Sequence, residues 1–330
     1  MSLRIVLPLI ALCALLVAAI PEVARFGLSA LPLAIVMGML VGHCRRAVAS
    51  PREVAFTRFC QQRLLRLGII LFGFGLSFQQ LAAVGWRSLL LDGVVICTVF
   101  VVGTLLGTRL FRLHRDVAIL TSVGSAVCGA AAVMATESVL KSRQQHVTVA
   151  IATVVLFGTL AMFSYPLIYQ FSGMSEQAFG IYIGSTVHEV AQAVAAGEAV
   201  GGEALQAAVV VKLIRVMMLA PFILLLSTFL ARRGGGDGEG AASLVIPWFV
   251  LGFIAAAGIN SLQVLPPAAM PVIQLVSQFT LAIAMAALGV QTRWSTIRQA
   301  GAGPMVLALI LFLLLIVGGF FLNQWLIGAR

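Results

Sequence analysis

The 330-residue chain is 61% hydrophobic and only 10% charged, whereas soluble domains carry roughly 45–50% apolar and about 25% charged residues. This composition excludes a soluble globular protein and predicts an integral membrane protein that lies in a lipid bilayer. The net charge of +10 does not indicate a nucleic-acid partner, because the basic residues lie mainly between the apolar runs rather than on a soluble face.

Apolar runs of membrane-spanning length recur along the chain. A helix needs about 20 such residues to cross the hydrocarbon core. The candidate spans lie at residues 3–20, 26–42, 64–84, 88–107, 145–171, 204–230, 244–262, 272–291 and 301–327. Two weaker segments, 117–138 and 178–198, are apolar but rich in Gly, Ala and Ser. We expect an all-α polytopic membrane protein with about 9–11 membrane segments, forming a single membrane domain over residues 1–330.

The arginines predict the topology. Six of them crowd residues 43–66, which places that loop, and with it the N-terminus, in the cytoplasm by the positive-inside rule. Residues 1–25 are expected to form an extra N-terminal helix, although their basic residue, apolar run and small residues would also fit a cleaved signal peptide. The run RRGGGDGEGAAS at 232–243 predicts a flexible cytoplasmic loop.

The two weaker segments resemble each other. Residues 121–137 (TSVGSAVCGAAAVMATE) align without a gap to residues 181–197 (IYIGSTVHEVAQAVAAG). A Gly-Ser pair occupies the same place in both copies, and each copy is followed by a long apolar span that contains a proline. Gly and Ser are residue types that favour or tolerate a break in a membrane helix.

Charge then favours segments that enter the membrane and return. In that arrangement the basic loop ESVLKSRQQH stays cytoplasmic, as the positive-inside rule requires. We expect two broken or re-entrant segments, each followed by a helix, at 117–171 and 178–230, related as inverted repeats. Unbroken helices that pack closely through small residues are the alternative.

The second weak segment concentrates polar side chains where they are costly, namely Ser185, Thr186, His188, Glu189 and Gln192. On one continuous helix most of them would project from the same side. Ionisable residues inside a membrane segment usually face a cavity or a partner, so His188 and Glu189 are candidates for proton coupling. A structural His188–Glu189 pair that holds helices together is the alternative.

The next span carries Lys212 and Arg215 on one face, because they are three residues apart. Lys212 lies roughly 13 Å along the helix from Glu203, nearly halfway through a core of about 30 Å. A buried cation beside hydroxyl groups and broken-helix N-termini suits an anion, whereas neutralisation of Glu189 is the alternative use of the charge. The expected substrate-binding residues are Gly124, Ser125, Cys128, Gly129, Gly184, Ser185, Thr186, Gln192, Lys212 and Arg215.

Other patterns are absent from the sequence. It has no HExxH, Walker-type or GxSxG motif and no CxxC pair among its five cysteines, so we expect no metal, no cofactor, no direct use of ATP and no enzyme activity. The embedded polar residues Asp92, Asn260, Gln274 and Gln278 are isolated in sequence. They are therefore interpreted as interfacial or helix-packing groups.

Four stretches carry a family resemblance: SVGSAVCGAAAVMAT, LFGTLAMFSYPLIY, GSTVHEVAQAVAAG and AAVVVKLIRVMMLAP. Together they resemble the YeiH family of bacterial inner-membrane proteins, whose alternative name refers to sulfate export. The resemblance covers most of the chain from about residue 30 to its end. It implies a polytopic secondary transporter of the bacterial inner membrane, loosely related to inverted-repeat antiporters and bile-acid-type carriers.

The leading hypothesis is alternating-access transport of a small anion, such as sulfate or a related sulfur oxyanion or sulfonate, with H⁺ or Na⁺ as the coupling ion. A Na⁺/H⁺-type cation antiporter that uses Glu189 and His188 is the alternative. An intramembrane enzyme that uses the same two residues as a base pair is less favoured. Analogy with related carriers suggests a homodimer.

Overall fold

The computed structural model describes residues 2–20, 29–44, 50–233, 248–292 and 301–328. Every regular element in these ranges is helical, which confirms the all-α prediction. Several sequence-based expectations fall partly beyond them. The parts that lie outside the described residues are 21–25 of the N-terminal segment, 26–28 and 244–247 of two predicted spans, Arg45 and Arg46 of the arginine-rich loop, and 234–243 of the predicted flexible loop.

The helices, numbered in chain order, are α1 (Leu3–Ala18), α2 (Ala30–Cys44), α3 (Pro51–Phe59), α4 (Leu65–Gly73), α5 (Phe78–Ala83), α6 (Gly85–Leu105), α7 (Arg115–Ala126), α8 (Ala130–Leu140), α9 (Gln144–Ser172), α10 (Glu176–Thr186), α11 (Val190–Val200), α12 (Gly202–Met217), α13 (Leu219–Arg233), α14 (Trp248–Ser261), α15 (Ala269–Gln291), α16 (Ala302–Leu313) and α17 (Gly319–Leu326). Single π-helical turns join α3 to α4, extend α6, and join α16 to α17.

Among the described residues, five helical stretches are long and apolar enough to cross a membrane: Gly85–Leu110, Gln144–Ser172, Gly202–Phe229, Ala269–Gln291 and Ala302–Leu326. Their length and composition confirm a polytopic membrane protein. The predicted span 64–84 is wrong as a single helix, because its helix ends at Gly73 and a separate short helix begins at Phe78. The run GFG that follows Leu71 and Phe72 explains this break, since Gly lowers helix propensity.

The described helices group into two bundles. In the first, α15 packs along α1, α2 and α4, and α14 packs on α4. The second contains α6 to α12 together with α16 and α17. Helix α11 belongs to the second bundle but also contacts α2 and α15. At this junction the Glu198 carboxylate accepts a hydrogen bond from the Leu31 backbone N–H near the start of α2, at 2.9 Å.

The first weak segment is a re-entrant hairpin, called hairpin 1, formed by α7, the turn at 127–129 and α8. Its two open ends meet: Asp116, in the first turn of α7, accepts a hydrogen bond at 3.0 Å from the hydroxyl of Ser142, which follows α8. A helix that continued across the membrane after the break would separate these two residues. The turn contains Gly129 at φ 75° and ψ −138°, a backbone conformation that is essentially restricted to glycine.

The second weak segment is also a hairpin, called hairpin 2, formed by α10, the extended residues 187–189 and α11. Glu176, at the start of α10, accepts a hydrogen bond from the Glu203 backbone N–H just beyond α11, at 3.3 Å. Gly180 in the first arm and Gly197 in the second arm both lie against Ala204 of α12. The structure therefore selects the re-entrant form for both segments and excludes the unbroken helices.

The hairpins open at opposite ends of α9. Hairpin 1 ends next to the start of this helix, and hairpin 2 begins just after its last residue, Ser172. The helix has 29 residues, which corresponds to about 43 Å. Two hairpins that enter from opposite ends and meet in the middle have the relationship expected of inverted repeats.

Candidate functional site

The two hairpin tips touch. Glu189, in the turn of hairpin 2, accepts a hydrogen bond through Oε1 from the backbone N–H of Ala130, the first residue of α8, at 3.3 Å. The Glu189 side chain also lies directly against Gly129, where any larger residue would displace it. A carboxylate at a helix N-terminus is stabilised by the unpaired amides and by the helix dipole.

Lys212 lies on α12 and bridges the two turns. Its Nζ donates to the carbonyl oxygen of Val127 at 3.2 Å and to the carbonyl oxygen of Val187, and its side chain is fully buried. Val127 directly follows α7 and Val187 directly follows α10. The cation therefore satisfies carbonyl groups at the C-terminal ends of both first arms, where the helix dipole is negative.

Arg215 lies one turn further along α12 and holds hairpin 1 by its backbone. Its Nε donates to the carbonyl oxygen of Ala126 at 3.0 Å, and its Nη2 donates to that of Ser125 at 3.1 Å. Nη1 reaches the carbonyl oxygen of Val187 at 3.4 Å. The planar guanidinium, with donors in a fixed fork, suits such a cluster of carbonyl oxygens.

Glu189 forms no direct ion pair with these cations among the described residues, although Lys212 lies within electrostatic range of it. Within the part of the chain that the structure describes, the side-chain ion pairs involve Asp116 with His114 and His146, and none joins Glu189 to Lys212 or Arg215. The donors of both cations point at backbone carbonyls instead. The cations therefore organise the broken backbone, and their contact with a substrate stays a prediction.

Asp92 on α6 is the charged residue that sequence reasoning missed. It is fully buried, lies next to the Ser185 hydroxyl and is within electrostatic range of Arg215 and Lys212. No donor among the described residues is placed for a well-aligned hydrogen bond to either carboxylate oxygen. Asp92 is therefore isolated in sequence but not in space, because the fold brings α6 against α10 and α12. It is not an interfacial group, and its interpretation as a helix-packing group rather than a ligand stays a prediction.

His188 and Ser185 are buried without hydrogen-bond partners. Neither ring nitrogen of His188 nor the Ser185 hydroxyl finds one among the described residues, and the His188 ring centroid lies 6.5 Å from that of Phe312. Buried polar groups are normally paired, so these atoms mark a polar interior able to hold water or an ion. The expected single polar stripe is wrong, because the helix breaks between Ser185 and Glu189.

Gln192 fixes the turn of hairpin 2. Its Oε1 accepts from the Glu189 backbone N–H at 3.2 Å. Its Nε2 donates to the Val155 carbonyl and to the Thr159 hydroxyl of α9, both at 3.4 Å. Gly158 allows this approach, since a side chain there would overlap the Gln192 amide. Gln192 thus connects hairpin 2 to the long helix of the other repeat.

The remaining predicted residues pack the arms. Thr186 accepts a hydrogen bond from the Tyr165 hydroxyl at 2.8 Å and is itself buried. Gly124 lies against the side chain of Val154 on α9, and Gly184 lies against Val211 on α12. These glycines bring each hairpin close to the long helix of its own repeat. Direct contact of these residues with a substrate is untested.

A cavity of about 760 Å³ reaches the hairpin tips from one side. The second bundle contributes Cys128 and Glu189 and the first residues of α8 and α11, whereas the first bundle contributes residues of α4, α14 and α15. Cys128 and Glu189 are the predicted site residues among those that line it. Towards its outer part the lining includes Gln61, Gln62, Arg66, Gln291 and Thr292.

Comparison with known proteins identifies the family. The family model described as Conserved hypothetical protein 698 matches residues 4–308. The chain belongs to this family. The UPF0324 membrane protein of Pseudomonas aeruginosa is 48% identical over 306 residues, covering 90% of this chain and 86% of the relative. The UPF0324 inner membrane protein YeiH of Escherichia coli K12 is 46% identical over 306 residues, covering 92% and 88%.

A UPF0324 membrane protein of Yersinia pestis is 47% identical over 319 residues, covering 94% of this chain and 88% of the relative. These matches confirm the resemblance to the YeiH family, and the range matched by the family model contains both hairpins and all of α12. No solved structure matches the chain.

Proposed function

We propose that this protein is a secondary transporter of the bacterial inner membrane that moves a small anion by alternating access. Sulfate, a related sulfur oxyanion or a sulfonate is the expected substrate class. The observation that carries the proposal is the meeting of two oppositely directed hairpin tips at a cavity between two helix bundles. Inverted-repeat transporters bind their substrates near the membrane midplane between broken helices.

An anion is favoured by the backbone that faces the cavity. Ala130 and Ala131 of α8 and Val190 and Ala191 of α11 line it, so two helix N-termini border the same space. Such termini present amide N–H groups and a positive dipole end to an anion. Arg66 adds a cationic side chain to the lining.

Glu189 provides a means of coupling. Its carboxylate occupies the Ala130 amide that an anion at the start of α8 would use. Protonation of Glu189 would remove a negative charge from the cavity and release this amide, so proton and anion would bind in support of each other. His188 is the second candidate proton carrier, because its buried ring nitrogens have no hydrogen-bond partner among the described residues.

The two bundles provide the moving parts. The cavity lies between them, and its outer part lies at the end that carries Arg66 and the basic loop around Lys141. By the positive-inside rule this end is cytoplasmic, which makes the conformation inward-open and leaves the N-terminus in the cytoplasm. We favour transport over intramembrane catalysis because the sequence supplies no catalytic motif around His188 and Glu189.

The decisive experiment is transport by the purified protein in proteoliposomes. We expect saturable uptake of labelled sulfate, or of sulfite or a small alkyl sulfonate, that changes when a pH gradient is imposed. Empty liposomes prepared in parallel provide the background. The absence of flux for every oxyanion, in both directions and with either gradient, would overturn the anion proposal.

A Na⁺/H⁺-type antiporter is the second candidate, since a buried carboxylate, Glu189, lines the cavity. Glu189→Gln separates the two functions. For anion transport we expect downhill anion exchange to persist and its pH dependence to disappear, whereas a cation antiporter would lose Na⁺-dependent proton flux. Glu203→Gln is the matched control, because it makes the same chemical change at an exposed position.

A further inference from the structure

A cluster of potential metal ligands lies at the open end of hairpin 1, away from the hairpin tips. It consists of His114, which precedes α7, Asp116 in the first turn of α7, and His146 in the first turn of α9. One ligand atom of each residue lies within 4.8 Å of those of the other two. The hairpin creates this cluster, because it returns the chain to the level at which α7 began.

The distances between these atoms fit a shared metal ion. Asp116 Oδ2 lies 3.8 Å from His114 Nδ1 and 3.6 Å from His146 Nδ1. Ligands on bonds of about 2.0–2.2 Å to a tetrahedral Zn²⁺ are separated by about 3.4 Å. The two edges to Asp116 would need to shorten by a few tenths of an ångström, and the edge between the two histidines lies within 4.8 Å. A small movement of the exposed His114 ring would therefore place the three atoms at the corners of one coordination polyhedron.

A bound ion would replace two weak contacts of the histidines. His114 Nδ1 accepts a hydrogen bond from the Asp116 backbone N–H at 3.3 Å, and its single lone pair would turn to the metal instead. The Ser142 hydroxyl donates to Asp116 Oδ2 and lies 3.2 Å from His146 Nδ1; its bond to Asp116 can remain when His146 Nδ1 binds the ion. Such an outer contact orients ligands in metal sites.

A metal ion can reach the cluster from solvent on the side of His114. The His114 side chain is 61% exposed, while those of Asp116 and His146 are 23% and 17% exposed. An ion can therefore enter past His114 and keep a water molecule in its remaining position. Imidazole and carboxylate together suit first-row divalent ions, among which Zn²⁺ accepts three protein ligands and a water.

We propose that His114, Asp116 and His146 form a binding site for a divalent transition-metal ion, with Zn²⁺ as the best fit. The bound ion would tie the start of α7 to the start of α9 and so clamp the open end of hairpin 1. The site stands apart from the proposed anion pathway and does not depend on it.

Zinc binding to the purified full chain in detergent tests this assignment. After removal of metal with a chelator, we expect competition with a chromophoric zinc indicator to show one saturable Zn²⁺ per chain. Asp116→Asn and His146→Ala should each weaken binding at least about tenfold. Bound Co²⁺, used as a spectroscopic substitute, should show the visible absorption of a low-coordinate nitrogen and oxygen site.

His43→Ala is the matched control, because His43 also lies in a helix but bonds its own Met39 carbonyl at 2.9 Å, outside the cluster. The same loss in this variant, or the absence of saturable Zn²⁺ binding in the wild type, would overturn the proposal. His114→Ala guards against misfolding, since its exposed ring contributes little to packing. In the wild type Zn²⁺ should raise the thermal midpoint, and in His114→Ala it should raise it less.

Discussion

The two hairpins share a plan but differ in what they bring to their meeting point. Hairpin 1 contributes backbone: the carbonyls of Ser125, Ala126 and Val127 are held by cations from α12, and its turn contains Gly129. Hairpin 2 contributes side chains, namely His188 and Glu189. The two repeats therefore differ in what they place at the meeting point. One contributes mainly backbone groups, and the other contributes the ionisable side chains.

The two hairpins also differ in how deeply they are buried and how they are anchored. The inner residues of both arms of hairpin 2 are buried, whereas hairpin 1 exposes Ala131 and Met134 of α8 towards the cavity. Hairpin 2 is anchored to α9 by its own Gln192, in addition to the contacts of Lys212 and Arg215 with the Val187 carbonyl. Hairpin 1 is held at three carbonyls by Lys212 and Arg215, which belong to the other repeat. Hairpin 1 should therefore be the copy that is more easily displaced by mutation.

The largest effect is expected from Arg215→Met. The carbonyls of Ser125 and Ala126 would lose their donor, and buried Asp92 would lose a counter-charge. We expect a loss of about 3–5 kcal/mol in the free energy of unfolding, measured by thermal or denaturant unfolding in detergent. Adding Asp92→Asn to this variant should restore part of the loss, because the two changes are coupled.

Arg66→Met is the control for this prediction. It removes an arginine from the cavity lining, where the guanidinium lies 5.7 Å from the centre of the Phe249 ring. We expect a cost of about 0.5–1 kcal/mol for this exposed contact. Equal losses for the two variants would show that Arg215 is not a special support of hairpin 1.

A smaller effect is expected from Gly129→Ala. The backbone conformation of Gly129 is costly for any other residue, by about 1–3 kcal/mol, and the new methyl group would push against Glu189. The turn of hairpin 1 should loosen and expose Cys128, which is 4% exposed. Maleimide labelling of Cys128, with the other four cysteines replaced by Ser, should then become faster.

Gly173→Ala is matched to this change, because Gly173 also has a positive φ, 66°, but open space where a side chain would lie. In Gly173→Ala, Cys128 should react with maleimide at the same rate as in the parent protein that keeps Cys128 and has the other four cysteines replaced by Ser. If Cys128 is labelled equally fast in Gly129→Ala and Gly173→Ala, the faster labelling is explained by general backbone strain. The contact between the hairpin tips would then not be its cause.

Gln192→Ala tests the anchor of hairpin 2. The Glu189 backbone N–H would lose its acceptor, and the Thr159 hydroxyl and the Val155 carbonyl would lose weak contacts. A cost of about 1–2 kcal/mol in unfolding free energy is expected, with labelling of Cys128 on hairpin 1 almost unchanged. Gln177→Ala, at an exposed position, should cost nothing measurable; a faster Cys128 reaction in Gln192→Ala would show that the hairpins are not anchored separately.

The smallest effect should come from Tyr165→Phe. This change removes the hydroxyl that donates to Thr186, but Thr186 keeps its own hydrogen bond to the Tyr182 carbonyl. We expect a cost of about 0.5–1 kcal/mol, measured as a small decrease in the thermal midpoint. A loss as large as that of Gln192→Ala would indicate that Thr186 takes part in the anchor.

Local patterns predicted much of the fold and part of the site. Apolar runs located most spans, and the Gly-Ser pairs located the neighbourhood of both helix breaks, because membrane insertion and helix breaking depend on nearby residues. Each pair itself lies in the last turn of its helix, and the break begins two residues after the serine. Asp92 was missed since it is isolated within its own span. Its neighbours Ser185 and Arg215 come from helices far along the chain, which sequence spacing does not reveal.

Lys212 and Arg215 also show how far sequence spacing can predict contacts. Their presence on one face of α12 follows from their spacing, but their partners do not, because those partners are backbone carbonyls of the two broken helices. The cluster of His114, Asp116 and His146 was likewise invisible, since it forms when hairpin 1 returns to the level of its own start.

The sequence by itself determined that the protein lies in a membrane, that its two weak segments contain a break, and which repeat carries the ionisable side chains. These properties follow from hydropathy and residue type. Only the tertiary structure decided that both weak segments are hairpins, that Glu189 meets the start of α8, and that Lys212 and Arg215 face carbonyls. The physical reason is that each of these contacts joins residues distant in sequence, and satisfying exposed backbone groups at the breaks requires partners from other helices.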